Sequence, residues 1–225
     1  MNQKKRVIYY LIFSTIGAAL LIVASVFSYS DQNVIHMSDK LVVGGTFIIS
    51  CIFGIYAAVK PDRIYPKGGD GQQSQIKIIG HHPDCEEFNN HVIKIKNTIL
   101  CPGCYGLALG SVISILLMSG YIVFPIEIQQ IHLYVFVILG MLLIVLNYVE
   151  IIIPSRIAYF HLISNIFLVI SFFLIILGIL HLTGNMIYGL SAVLVSYLWL
   201  DTRIQLSDWC HSQVCQNCNE SCKVY

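Results

Sequence analysis

Residues 159–182 read YFHLISNIFLVISFFLIILGILHL, without a single Asp, Glu, Lys or Arg. An α-helix of that length covers about 36 Å, more than the ~30 Å hydrocarbon core of a bilayer. Unpaired backbone groups in lipid cost several kcal/mol each, so such a run is expected to cross the membrane as a helix. Five further runs share its character: 7–29, 41–59, 105–124, 132–149 and 186–200. The last is short for a span and would borrow neighbouring residues or tilt little. None shows the ~10-residue alternation of a membrane barrel.

Composition agrees. Hydrophobic residues make up 56% of the 225 and charged residues 11%, a balance that belongs to membrane rather than soluble proteins. A formal net charge of +1 supplies no broad attraction for nucleic acid. The expected fold class is an all-α membrane protein. It is a six-helix transmembrane bundle with a small cytoplasmic Cys/His metal-binding hairpin and a Cys-rich C-terminal tail. The chain divides accordingly into helices one and two (1–59), a cytoplasmic tether and metal-binding module (60–104), helices three to six (105–200) and the tail (201–225).

Orientation follows from the basic residues. With the N-terminus in the cytoplasm, twelve of the thirteen Lys and Arg lie inside and only Lys40 lies outside. That asymmetry predicts a multi-pass protein of the plasma membrane with both termini cytoplasmic. The first apolar run is too long for a cleaved signal peptide and no small-residue cleavage pattern follows it. Seven of the eight cysteines, all but Cys51, then face a compartment that keeps thiols reduced, so metal binding or thiol chemistry is expected in place of disulfides. Cys51 reads as a small buried hydrophobe.

Between the second and third runs the character changes. Residues 60–75, KPDRIYPKGGDGQQSQ, are too polar and too rich in Gly, Pro and Gln to bury a core and read as a tether. They lead to residues 80–104, GHHPDCEEFNNHVIKIKNTILCPGC. Its skeleton is His82-x2-Cys85, fifteen residues, then Cys101-x2-Cys104, the spacing of a four-thiolate zinc module with one thiolate exchanged for an imidazole. Ligands three residues apart sit on one tight turn and chelate one edge of a tetrahedron; the second pair closes the opposite edge. Pro102 presets φ in such a turn and Gly103 tolerates the positive φ that can follow. Ile93 and Ile95 alternate with Lys94 and Lys96, Asn97 offers a turn and Thr98–Leu100 can return, which predicts a hairpin. His81 and His91 are substitutes should His82 point away.

Two further groups stand out. Asn147 and Glu150, and His161 and Asn165, are spaced to share helix faces on either side of the Pro154 break, with Arg156 between them. Ionisable groups at membrane depth are candidates for function. The tail contains DWCHSQVCQNCNESC at 208–222, placing Cys210, Cys215, Cys218 and Cys222 beside His211. Four thiolates so close suit zinc or an iron–sulfur cluster, although the run lacks a fold large enough to shield a cluster. Gly106, Gly110 and Ser114 form a small-residue face suited to close helix packing.

The segments GHHPDC, CPGCYGLALG and PSR-x4-HLISN together resemble domain-of-unknown-function family 2085 and its archaeal relatives, uncharacterised multi-pass membrane proteins. The resemblance covers 80–165 and omits the cysteine tail. It implies the topology and the Cys/His motif but no reaction.

The leading expectation is therefore a non-enzymatic membrane protein whose cytoplasmic segments are folded by zinc and meet a cytoplasmic protein partner; a homo-oligomer is compatible with it. Segments this small cannot bury enough apolar area to fold alone, and structural zinc supplies roughly 10–16 kcal/mol. The alternative is a redox or electron-transfer protein with an iron–sulfur cluster or reactive thiols. Metal transport ranks third, because the helix centres lack carboxylates and imidazoles. No Ser-His-Asp or phosphate-loop pattern supports a hydrolase or a nucleotide-driven enzyme.

Overall fold

The computed structural model describes residues 3–27, 35–59, 77–79, 93–95, 98–124, 129–153 and 157–216. Six helices lie among them: α1 (Gln3–Phe27), α2 (Met37–Val59), α3 (Pro102–Val123), α4 (Gln130–Ile152), α5 (Ala158–Thr183) and α6 (Met186–Gln216). The first five are long and apolar enough to cross a membrane. The sixth, taken as a whole, is less apolar because Asp201, Arg203 and Asp208 fall in its second half, while its first fifteen residues, 186–200, carry no charge.

Helix α6 also corrects the expectation that helix ends near Leu200 and a tail begins. It continues without interruption to Gln216, 31 residues in all. Residues 201–216 contain neither Gly nor Pro, and Trp199, Thr202 and Leu206 are buried at helical spacing, so the stripe that packs the apolar half runs on into the polar half. The preceding break is sharp. Gly184 adopts φ 58°, the left-handed conformation that ends α5, and its N–H donates to Leu180 O at 2.9 Å.

Helix α5 is the axis of the bundle, with 61% of its apolar window buried against 22–33% for the other four. Helix α4 runs antiparallel along one side, where Gly178 faces Val137 and the Leu133 carbonyl. Helix α3 runs parallel along the other. A methyl group on Gly106 would lie 2.5 Å from Leu162 O, and one on Gly110 would lie 2.8 Å from Ile166 O. The small-residue face is thus packing surface, as its spacing implied. Helix α2 covers α3, and α6 packs against α1, α2 and α5. Leu20, Phe53, Leu116, Ile138 and Leu194 remain exposed on the outer faces, a surface suited to lipid.

Three short strands precede α3: β1 (Lys77–Ile79), β2 (Ile93–Ile95) and β3 (Thr98–Leu100), in the order β1-β3-β2. The expected hairpin is present, since β2 and β3 are antiparallel with Ile93 opposite Leu100 and Ile95 opposite Thr98. Strand β1 was not anticipated. It pairs parallel with β3, Ile79 opposite Leu100. Its signal was available in the same Ile-Lys-Ile alternation at 76–78 that marks β2.

Candidate metal centre

The sheet directs both halves of the motif. Because β1 and β3 are parallel and in register, the chain leaves Ile79 and Leu100 at the same end of the sheet and in the same direction. His82-x2-Cys85 begins three residues beyond the first exit, and Cys101-x2-Cys104 begins one residue beyond the second. His81, His82, Cys85 and His91 themselves lie outside the described residues.

Cys101 and Cys104 are placed. Cys101 is the N-cap of α3 and is buried; Pro102 is the first helical residue, and Tyr105 N–H donates to Cys101 O at 3.0 Å. Proline suits that position because its missing N–H would have had no partner there. Cys104 is half-buried in the first turn. The expectation of a positive-φ glycine in this turn is not met: Gly103 is helical, and Gly184 is the one glycine with positive φ among the described residues. What position 103 needs is space. A methyl group there would lie 3.0 Å from Arg203 Nη2 and 3.8 Å from Cys101 Sγ. Arg203 of α6 thus rests on the first turn of α3.

That contact orients the cysteine-bearing part of α6. Arg203 and Cys210 are seven residues apart, about two turns, and so lie on one face of the helix. Cys210 is half-buried, and burial raises its thiol above the ordinary value. Residue 215 is a helix position rather than a tail position. Cys218 and Cys222 lie outside the described residues, as do the side chains of His211 and Cys215. Among the described residues, no three His, Cys, Asp or Glu come together as a metal-binding group.

The second polar group does assemble. His161 Nδ1–H donates to Glu150 Oε1 at 2.5 Å, an ion pair when the imidazole is protonated. One turn deeper, Asn147 Nδ2 donates to Ser164 Oγ at 2.8 Å, and Asn165 Nδ2 donates to His161 O at 2.5 Å. Both amides are buried, and their Oδ1 atoms have no hydrogen-bond partner among the described residues, nor does Ser114 Oγ. The cluster joins α4 to α5 at the end of the bundle where α3 begins. Arg156 lies outside the described residues.

Sequence reasoning missed two further networks, because isolated hydroxyls and aromatics in apolar helices form no motif. Ser14 and Thr202 share a hydrogen bond of 2.6 Å, Trp199 Nε1 donates to Ser14 O at 3.2 Å, and Tyr148 donates to Trp199 O at 2.8 Å, tying α1, α4 and α6. At the opposite end Tyr121 OH lies 2.8 Å from His181 Nε2, with Lys40 Nζ 5.0 Å from the Tyr121 ring centroid. Cys51 is buried in the core, as expected, and also borders a cavity of about 60 Å³ lined mainly by apolar groups. No family model, no curated protein and no solved structure matches this chain.

Proposed function

We propose that the chain is a six-span membrane protein with both termini in the cytoplasm, whose sheet-borne knuckles hold one zinc ion. His82, Cys85, Cys101 and Cys104 are its ligands, and the metal-folded module is a docking surface for a cytoplasmic protein partner. The observation that carries the reading is the parallel register of β1 with β3, which starts both Cys/His pairs from one end of one sheet. Three-residue strands bury too little to persist unaided, and zinc supplies the missing free energy. Cys210, Cys215, Cys218 and Cys222 make a second zinc site beside the first.

A second reading has one observation in its favour. Cys101 and Cys104 occupy the N-cap and first turn of a helix beside a guanidinium, a setting that favours thiolates and serves dithiol redox motifs. Elemental analysis and an absorption spectrum of full-length protein purified anaerobically in detergent separate the two. Stoichiometric zinc without visible colour supports the first reading. Metal-free protein whose Cys101 and Cys104 oxidise reversibly to a disulfide supports the second, and a brown iron-containing protein supports an iron–sulfur cluster.

A further inference from the structure

The cavity of about 60 Å³ beside Cys51 has walls from four helices: Phe47 and Cys51 of α2, Ser111 of α3, Phe172 of α5 and Ser196 of α6 contribute to it. Ser50 also lines it, yet the three serine hydroxyls are already engaged. Ser50 Oγ donates to Thr46 O at 2.6 Å, Ser196 Oγ donates to Ala192 O at 2.9 Å, and Ser111 bonds the Cys51 thiol. A buried water needs about 2–4 polar partners, so this space suits hydrocarbon instead. A dry cavity of about 150 Å³ takes a benzene ring, which leaves this one room for the end of a chain and not for a ring system or a headgroup. Its mouth is on the lipid side. Most of the lining is buried, but Tyr197 is 46% exposed and Ser50 is half-buried, on the edges of α6 and α2. Leu194 and Phe53, one turn away on the same two helix faces, are among the most exposed apolar residues of the bundle. Ser50 lies nine residues before the end of α2 at Val59, about 14 Å along the axis, within reach of a chain that fills half of a ~30 Å hydrocarbon core.

We propose that the end of a phospholipid acyl chain from the surrounding bilayer occupies this cavity, entering between α2 and α6 past Tyr197. The inference rests on the membrane-spanning reading of the helices and on no metal site. Ser50, Cys51, Ser111 and Ser196 are small where larger side chains would close the space. A chain end held there becomes part of the packing of α2 against α6, because it gives the walls the contacts that a void denies them.

The test uses full-length protein in lipid nanodiscs, with Trp209→Phe leaving Trp199 as the only tryptophan. Trp199 is buried and stacks on Phe172 with 6.3 Å between ring centroids, so it stands directly behind the cavity wall. Bromine quenches tryptophan fluorescence only near contact. Phosphatidylcholine brominated near the methyl ends of its chains is expected to quench Trp199, with unbrominated lipid of the same chain length as the reference. Ser196→Leu and Ser50→Leu fill the cavity from its α6 and α2 walls and leave the outer lipid contacts in place. Each is expected to lose about half of that quenching or more, with a thermal midpoint close to that of the parent. A parent that enters nanodiscs without being quenched, or quenching unchanged in the Leu variants, would overturn the proposal and leave the membrane fold standing, the cavity then being an empty packing void. A protein that does not enter a bilayer overturns the membrane reading as well. Should one Leu variant fail to fold, the other decides by the same readout.

Discussion

Glu150 and His161 meet across the α4–α5 interface, the imidazole Nδ1–H donating to a carboxylate whose side chain is only 3% exposed. They sit on either side of the segment that joins the two helices in sequence, so the contact fixes where α5 starts relative to α4, and through α5 where α3 starts. Removing Glu150 leaves the imidazole N–H without its acceptor at a largely buried interface, at about 1–3 kcal/mol. Glu150→Leu is expected to lower the thermal midpoint in detergent by several degrees. Glu150→Gln keeps an acceptor for the imidazole and is expected to lose less. A Leu variant that melts with the wild type would show that the pair does not hold these helices.

The glycine face of α3 gives a steric test with an internal control. At Gly106 an added methyl would press on the Leu162 carbonyl, and backbone cannot swing aside as a side chain can. Gly106→Ala is expected to destabilise the bundle by about 1–3 kcal/mol through forced separation of α3 and α5. At Gly45 a methyl group meets nothing within 4 Å, so Gly45→Ala is expected to be neutral or to stabilise by up to about 1 kcal/mol through helix propensity. Parallel thermal melts of the two variants check the contrast, and equal behaviour would deny that close packing selects Gly106.

Cys210 supplies a pH-dependent outcome. With no metal bound, burial raises the folded-state value of its thiol, so its reactivity grows at higher pH than that of a free cysteine. Peptide-resolved alkylation should place its rate rise at higher pH in folded protein than in urea. Chelator treatment separates burial from metal protection: burial alone keeps the rise displaced after metal removal.

How much was legible in the residues depends on the kind of force that places them. The apolar runs announced α1 to α5 because lipid demands paired backbone and long unbroken hydrophobicity, and each helix begins a few residues before its run, where polar residues such as Gln3 or an N-terminal proline such as Pro102 are tolerated. The β2–β3 hairpin followed from Ile-Lys alternation. Strand β1 carries the same alternation but has no neighbouring turn and return strand to mark it, and its pairing depends on a segment about twenty residues away. The extension of α6 was hidden because Asp, Arg and Gln outweigh the sparse stripe of Trp199, Thr202 and Leu206 in any average. The Arg203–Gly103 contact was beyond reach, as it joins residues one hundred positions apart through packing that no local spacing encodes.

Topology has a direct test. Twelve of thirteen basic residues on one side predicts that Gln129, exposed just before α4, faces outward and that position 72 faces the cytoplasm. A single cysteine introduced at 129 should react with an impermeant maleimide on intact cells, and one at 72 only after lysis. The reverse pattern would invert the bundle and move the metal module outside the cell.

The last outcome concerns the end of α6, where helix and cysteines now have to be separated. Thr202 and Leu206 are buried and Arg203 rests on α3, so a truncation before Trp209 shortens a packed helix as well as removing thiols. Deleting residues 217–225 is cleaner: it removes Cys218 and Cys222 beyond the helix end and leaves Cys210, Cys215 and every buried position of α6 in place. Two thiols cannot close a tetrahedral structural site, so the deletion is expected to release the tail's metal and retain that of the knuckles, about half of the total if each site holds one ion. The thermal midpoint should stay close to that of the full chain, since no described contact is lost. Unchanged metal content would exclude the tail as a site. Loss of all metal would mean that the two cysteine sets share one cluster, with Cys210 and the α3 knuckle on the face that Arg203 already joins.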